Sequence, residues 1–206
     1  EGTTQGDPLA MAMYALAVVP LITALCNASA SQVWFADDAT AAGRLLALRR
    51  WWDSLVSKGP AFGYFPNAAK TWLIVKEDRR DRANSVFAGT GVQVTCEGRR
   101  CLGAALGQPY FVAQFVLSKV DEWVSEVETL AEIAVSHPQA AYAALTHGPA
   151  GRWIYLARTV PGIGPEFAPL EKTIRSRLLP AMFGRVAPGD AERQLMTLAV
   201  RRSWWP

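Results

Sequence analysis

The hydrophobic pattern of the first half of the chain predicts helices interspersed with short strands. The range 8–36 has no charged side chain, and Asp7 is positioned to cap a helix that we expect to end near Leu25. A β-rich stretch follows at 32–36. Together with the residues beyond Asp37-Asp38, it predicts a hairpin that turns at the two aspartates.

The remainder of this half alternates in the same way. The range 44–57 has apolar residues at helical spacing, and Gly59-Pro60 is typical of a helix end. The pattern then predicts, in chain order, strands at 62–65 and 71–76, a charged helix at 77–87, and a hairpin of 92–96 with 100–105 around Glu97-Gly98. Helices and hairpins in this order indicate an α+β fold.

The second half is dominated by helical patterns. Between Gln108 and Ser136, apolar residues recur in alternating steps of four and three, which is typical of a helix in a bundle. Those apolar positions are 116, 120, 123, 127, 130 and 134. Further helices are predicted at 139–147, 150–158, 166–183 and 190–200. We therefore expect two regions, 1–107 and 108–206, with a boundary near Gly107.

Composition excludes several classes of protein. Among 206 residues, 50% are hydrophobic and 19% are charged, which suffices for a core and excludes a disordered tail. Three cysteines do not make a disulfide scaffold, and no signal peptide is recognised. We expect an intracellular protein, cytoplasmic or nuclear. The net charge of +3 names no partner, although 107–150 is acidic and 151–206 is basic.

One hydrophobic stretch raises the question of a membrane. The range 9–26 approaches the length of a membrane-spanning helix. No Lys or Arg precedes it, Arg44 is the first after it, and Pro20 lies inside it. We therefore expect no membrane partner and favour a helix buried on all sides, with membrane insertion as an alternative.

The pair Asp37-Asp38 is the strongest candidate for chemistry. Neighbouring side chains of a strand point to opposite faces, so one carboxylate can face a metal while the other supports the turn. Mg²⁺ prefers carboxylate and phosphate oxygens, and two such ions ~3.5–4 Å apart serve phosphoryl transfer. Turns also favour aspartate for purely structural reasons, so the pair alone does not decide its role.

Four segments resemble the motifs of reverse transcriptases, in the order that this family has them. The range 1–9 (EGTTQGDPL) resembles motif B, 33–38 (VWFADD) motif C and 62–71 (FGYFPNAAKT) motif D. Leu102-Gly103 resembles motif E, the primer grip. The residues in these four segments are most similar to those of the polymerases of non-LTR retrotransposons.

The resemblance implies a role for each matching residue. Asp37 would bind the catalytic Mg²⁺ ions, and Asp38 would lie beside them as a further metal residue. Lys70 would contact the triphosphate and donate a proton to the departing pyrophosphate. Further implied contacts are those of Gly2, Gln5, Gly6 and Asn67 with template or nucleotide, and those of Leu102 and Gly103 with the primer end.

The resemblance also implies a fold and a set of partners. Residues 1–107 would be part of a polymerase palm, an antiparallel sheet with packed helices, and 108–206 a helical thumb-like region. The partners would be an RNA template, a DNA primer and deoxynucleoside triphosphates. The family's second metal-binding aspartate, upstream of motif B, has no counterpart here. We therefore expect a fragment that is inactive without the missing N-terminal part of the polymerase.

Other functions are weaker alternatives. A non-catalytic nucleic-acid-binding remnant of a retroelement would keep the basic surfaces without turnover. RNA-templated RNA polymerases match less well, because their motif B differs from Gln5-Gly6-Asp7-Pro8. Trp51-Trp52 is typical of a core rather than of a base-stacking surface. His137 and His147 lack further ligands at zinc-binding spacing.

Overall fold

The computed structural model describes residues 7–26, 29–184, 189, 191 and 192. Among them, helices predominate, and each sheet has two strands, which makes the fold mixed α+β. The described residues form two compact units, one within Glu1–Cys96 and one within Glu97–Pro206. Residues 97–107 therefore belong to the second unit, whereas the sequence analysis had assigned them to the first region.

The first unit begins with helix α1, Ala10–Ala24, as predicted. The Asp7 carboxylate accepts a hydrogen bond from the Leu9 amide at 2.8 Å, just before the helix begins. Only one side of α1 is buried, through Val18 and Leu21. The expectation of a helix buried on all sides is therefore wrong. Large apolar side chains exposed on α1 and just before it are Leu9, Met11, Met13, Leu16 and Val19.

No helix in the described part of the chain is both long and apolar enough to cross a membrane.

The predicted hairpin at the aspartates is confirmed. Strands β1, Ala30–Phe35, and β2, Asp38–Gly43, pair antiparallel, with Phe35 opposite Asp38. The turn therefore consists of Ala36 and Asp37. Helix α2, Leu45–Lys58, follows and buries Trp51 and Trp52, which are 8% and 5% exposed. The prediction that these two indoles belong to the core is confirmed.

The strand predicted at 62–65 is wrong. A 3-10 helix covers Gly59–Phe62, and Gly63 then adopts a left-handed conformation with φ of 72°. The Tyr64 amide donates to the Gly59 carbonyl at 3.0 Å, so the chain folds back on itself. A Cβ at Gly59 would lie 2.5 Å from the Tyr64 carbonyl oxygen, which explains the glycine there.

The strands after this loop pair differently from the prediction. Strand β3, Trp72–Ile74, is followed by a 3-10 helix at Glu77–Arg79 and by helix α3, Arg80–Val86. Strand β4, Gln93–Thr95, then pairs with β3 in parallel. The prediction that 92–96 pairs with 100–105 is wrong, because α3 provides the crossover that a parallel pair requires.

The hairpin in this region begins farther along the chain. Strands β5, Gly98–Cys101, and β6, Ala104–Gly107, pair antiparallel and turn at Leu102-Gly103. Both turn residues have positive φ, 48° and 82°. Positive φ at both central residues is the backbone geometry that fits the right-handed twist of a two-residue hairpin.

The core of the first unit contains a shared side-chain amide. The Gln32 Oε1 atom accepts hydrogen bonds from the indole nitrogens of Trp34 at 3.1 Å and of Trp51 at 3.0 Å. Its Nε2 atom donates to the Ile22 carbonyl at 2.8 Å. This one side chain therefore connects α1, β1 and α2. The buried hydrophobic cluster of this unit consists of Leu21, Leu25, Trp51, Trp52, Leu55 and Phe87.

The second unit is a helical bundle built on α4, Pro109–Ala134, as predicted. All six apolar positions of the predicted stripe are buried, namely Val116, Val120, Trp123, Val127, Leu130 and Ala134. Helices α5, Pro138–His147, and α6, Pro149–Thr159, also match their predictions.

The last predicted helix within the described residues is confirmed with an irregularity. A 3-10 turn at Pro165–Phe167 leads into α7, Ala168–Thr173, a π-helical segment at Ile174–Leu178, and α8, Leu179–Phe183. Pro180 has no amide hydrogen to donate to the Ser176 carbonyl, so a widened turn directly before it fits the sequence. The helix predicted at 190–200 lies almost entirely outside the described residues.

We predict that Gln32→Leu destabilises the first unit by about 2–4 kcal/mol, because it leaves two indole donors and one helix carbonyl without their partner. Hydrogen exchange of the α1 and α2 amides measures the effect separately from the second unit. The control is Gln93→Leu, which removes one exposed bond to the Ala69 carbonyl and should cost less than about 1 kcal/mol. Equal losses in the two variants would contradict the prediction.

Candidate functional site at the aspartate hairpin

The site is built on the turn between β1 and β2. Ala36 has a positive φ of 51°, which is unfavourable for a residue other than glycine. Asp37 is the second turn residue, and Asp38 is the first residue of β2. Both aspartates are exposed, so the two carboxylates of the tip are open to solvent and to ligands.

Tyr64 connects this turn to a distant part of the chain. Its hydroxyl donates a hydrogen bond of 2.8 Å to the backbone carbonyl of Asp37. Its ring packs edge-on against Trp34 of β1, with centroids 5.2 Å apart. The segment that resembles motif D therefore contacts the turn that resembles motif C, although 27 positions separate the two residues.

Two tyrosines near the turn respond to its charge. Burial raises the pKa of Tyr64 above its ordinary value, and electrostatic interactions with Tyr14, Asp37 and Asp38 raise it further. The pKa of Tyr14 is also raised, first by burial and then by the Asp37 carboxylate. A tyrosine phenol is already neutral at physiological pH, so these shifts act only at higher pH. The aspartates give the tip a negative potential that attracts cations.

Lys70 and Asn67 lie in a tight turn in the same unit. The Asn67 side chain caps the 3-10 helix Ala68–Lys70 by accepting from the Lys70 amide at 3.3 Å. The Thr71 hydroxyl donates to the Asn67 carbonyl at 2.8 Å. Asn67 therefore shapes the backbone that carries Lys70, while the implied nucleotide contact of Asn67 stays a prediction.

The turn that carries Lys70 rests against β4. The Gln93 side-chain amide donates to the Ala69 carbonyl at 3.0 Å. A Cβ at Gly91, where φ is 76°, would lie 3.2 Å from the Ala68 Cβ. Lys70 itself is exposed. The backbone under Lys70 is thus held by neighbours while its side chain stays accessible.

The remaining predicted site residues lie elsewhere. Leu102 and Gly103 form the tip of the β5–β6 hairpin in the second unit. Gly2, Gln5 and Gly6 lie outside the described residues. Their implied roles therefore stay predictions.

The described residues contain no group of three or more His, Cys, Asp or Glu side chains able to hold a metal ion. Asp37 and Asp38 are adjacent, exposed and acidic, which suits Mg²⁺ as a partial ligand set. Two carboxylates are fewer ligands than an all-protein site requires. Substrate phosphates and the upstream aspartate implied by the resemblance would have to complete the site.

Arginines stand next to each other in the sequence at 49–50, 79–80 and 99–100, and several of them have local partners. Arg49 binds Asp53 and also donates to the Val86 carbonyl at 2.6 Å. Arg79 and Arg80 form ion pairs with the adjacent acids of their own helical turn. Arg100 stacks over the Phe115 ring at 5.6 Å. These contacts with neighbouring side chains and backbone stabilise local structure.

Tyr64 is a residue of this site that the sequence patterns do not single out. In the strand predicted at 62–65, its ring would be one side chain of an alternating pattern. Pro60 and Gly63 together were the available signal, because Pro followed by Gly within a few residues marks a turn. The turn signal does not show which part of the chain Tyr64 contacts, because that depends on tertiary packing.

Comparison of the chain with protein-family models, with curated proteins and with solved structures finds no match.

We predict that Tyr64→Phe speeds hydrogen exchange of the amides at 36–38 by about three- to tenfold, because the turn loses its only side-chain tie to the loop at 63–65 among the described contacts. Mass spectrometry of exchange measures it. Tyr14→Phe is the control, since this phenol senses Asp37 without a hydrogen bond to the turn within the described residues. A similar increase in both variants would count against the assignment.

A second prediction concerns pH. Because the folded state raises the Tyr64 pKa, it holds the phenolic proton more tightly than the unfolded chain does. The free energy of unfolding should therefore fall as pH rises above about 10, and the fall should end once the folded pKa is passed.

Asp37→Asn removes one of the negative charges and should lower the Tyr64 pKa towards its ordinary value, as measured by phenolate absorbance. The Tyr64→Phe spectrum identifies the signal of this residue. Asp81→Asn, whose carboxylate is not among the charges acting on Tyr64, should leave the pKa unchanged. An unchanged Tyr64 pKa in Asp37→Asn would refute the electrostatic account.

Proposed function

We propose that this chain forms part of an RNA-directed DNA polymerase that adds deoxynucleotides to a primer 3′-end. The observation that carries the proposal is the hydrogen bond from the Tyr64 hydroxyl to the Asp37 carbonyl. It brings together two segments that were matched to different polymerase motifs from sequence alone. Aspartates are common in turns for structural reasons, so this contact supports the proposal more strongly than the acidic pair does by itself.

The proposed chemistry follows from the exposed charges of the tip. Asp37 and Asp38 would bind Mg²⁺, which when bound stabilises the negative charge of the phosphoryl group in transfer. Tyr64 holds the backbone at Asp37, so the carboxylate starts from a restricted position. Lys70 is exposed on a capped turn, and its ammonium would bind the triphosphate and supply a proton to pyrophosphate.

The second unit would hold the primer and the nucleic-acid duplex. The β5–β6 turn at Leu102-Gly103 would contact the primer end, and the helices would form the thumb-like part. Within the described residues, Ala36 and Leu102 are the two non-glycine residues with positive φ. Backbone strain of this kind concentrates at functional sites, and each residue lies at one of the two hairpin tips matched to a motif.

We predict that Asp37→Asn lowers primer extension on an RNA template by at least about 100-fold in the protein that also supplies the upstream aspartate motif. Asp38→Asn should cause a smaller loss, because its implied role is less direct. Asp81→Asn is the control, because this exposed acid lies on α3, outside the four sequence segments that resemble motifs. Incorporation of labelled deoxynucleotide is the measurement.

Two results would overturn parts of the proposal. If the wild-type protein binds an RNA–DNA duplex in a salt-dependent manner but incorporates nothing, the chain is a non-catalytic binding remnant. If the 206-residue chain extends primers by itself, no further aspartate is required. Equal activity of Asp37→Asn and wild type would remove the aspartate hairpin from the mechanism.

A further inference from the structure

The turn of the β5–β6 hairpin has a conformation that its sequence does not favour. Type I′ turns, with positive φ at both central residues, prefer Asn-Gly or Asp-Gly. Here the first position is leucine, with φ of 48°, followed by Gly103 with φ of 82°. The Leu102 side chain is 44% exposed, so burial of this side chain does not explain the choice. The conformation therefore needs support from outside the turn.

Tyr155 of α6 supplies that support. Its hydroxyl donates a hydrogen bond to the Leu102 carbonyl. Its ring lies against the other turn residue, since a Cβ added at Gly103 would be 3.4 Å from the Tyr155 Cε1 atom. One side chain thus contacts both residues of the turn, from a position 53 residues later in the sequence.

The helix that carries Tyr155 is itself held in the bundle. Leu156, the next residue of α6, is buried in the core of the second unit. At the start of α6, Arg152 donates to both carboxylate oxygens of Glu126 on α4, at 3.1 and 2.5 Å. Paired contacts of this kind restrict rotation of the helix. Tyr155 therefore lies on a helix that packs into the core of the second unit through the adjacent Leu156.

The other end of the hairpin is attached to α4. The Gln108 amide donates to the Glu97 carbonyl at 2.6 Å. A Cβ at Gly107 would lie 2.3 Å from the Gly98 Cα atom, so the strands approach too closely there for any other residue. The hairpin therefore contacts the helical unit at its base, next to α4, and at its tip, through α6.

We propose that Tyr155 is a positioning residue for primer binding: its hydroxyl holds the Leu102-Gly103 turn in the conformation that presents Leu102 to the primer 3′-end. This inference rests on the proposed polymerase function and assigns a residue that none of the four motifs contains. It makes primer contact depend on the helical unit rather than on the hairpin alone.

The test compares duplexes with and without an accessible primer end. The 206-residue chain is titrated with an RNA template carrying a recessed DNA primer, and with the same duplex with flush ends, followed by fluorescence anisotropy. We expect wild type to bind the recessed end more tightly. Tyr155→Phe should reduce that preference by about three- to tenfold and leave flush-end affinity unchanged, since one hydrogen bond is lost.

The matched control is Tyr142→Phe, an exposed tyrosine on neighbouring α5, which should keep the preference. Hydrogen exchange of 101–104 should be faster in Tyr155→Phe, while protection of the α4 amides shows that the unit is folded. If wild type prefers the recessed end and Tyr155→Phe keeps that preference in full, the inference is wrong. If wild type shows no preference, the proposed function fails for this hairpin.

Discussion

The first unit depends on the hydrogen bonds of one side-chain amide. A Gln side chain has an oxygen with two lone pairs and a nitrogen with two donors, and Gln32 uses both lone pairs on the indoles of Trp34 and Trp51. Its bond to the Ile22 carbonyl adds α1 to the same network. Because side chains alternate along a strand, a shift of β1 by one residue would move Gln32 to the opposite face and break its bonds to Trp51 and to the Ile22 carbonyl, whereas Trp34, on the same face of the same strand, would move with it. The turn directly follows β1, so the register of β1 and β2 also determines where the acidic pair lies.

Local sequence patterns predicted the elements in which apolar residues repeat regularly along the chain. The long helix α4 follows from the repeat of apolar residues at positions such as Val116, Val120 and Trp123, all of which are buried. The β3–β4 pair shows the limit of this reasoning. Both strands were predicted, but their pairing was not, because it depends on the crossover through α3 and strands of three residues carry no pattern that selects a partner. The strand predicted at 62–65 failed for a related reason, because its aromatic residues fit a strand as well as a loop that folds back through Gly63.

The candidate site also has one part that local sequence patterns predicted and one part that they did not. Turn chemistry and strand alternation were enough to place Asp37 and Asp38 at the tip of a hairpin. The contact with Tyr64 could not be predicted, since it joins two segments across the chain and its hydrogen bond uses a backbone carbonyl, which carries no sequence signal. The dependence of the Leu102 turn on Tyr155 is of the same kind. Residues that act on another residue's backbone leave little trace in a motif, and a structure is needed to find them.

The positive φ of Ala36 has a consequence for how this protein can change over evolutionary time. A β-branched residue at that position would clash with its own backbone, so substitution by valine or isoleucine is disfavoured. Glycine, asparagine and aspartate tolerate the conformation and remain open. The small residue in front of the acidic pair is therefore kept by the geometry of the main chain. As long as the hairpin is needed, this constraint on residue 36 would hold even in a variant of the protein whose carboxylates served no reaction.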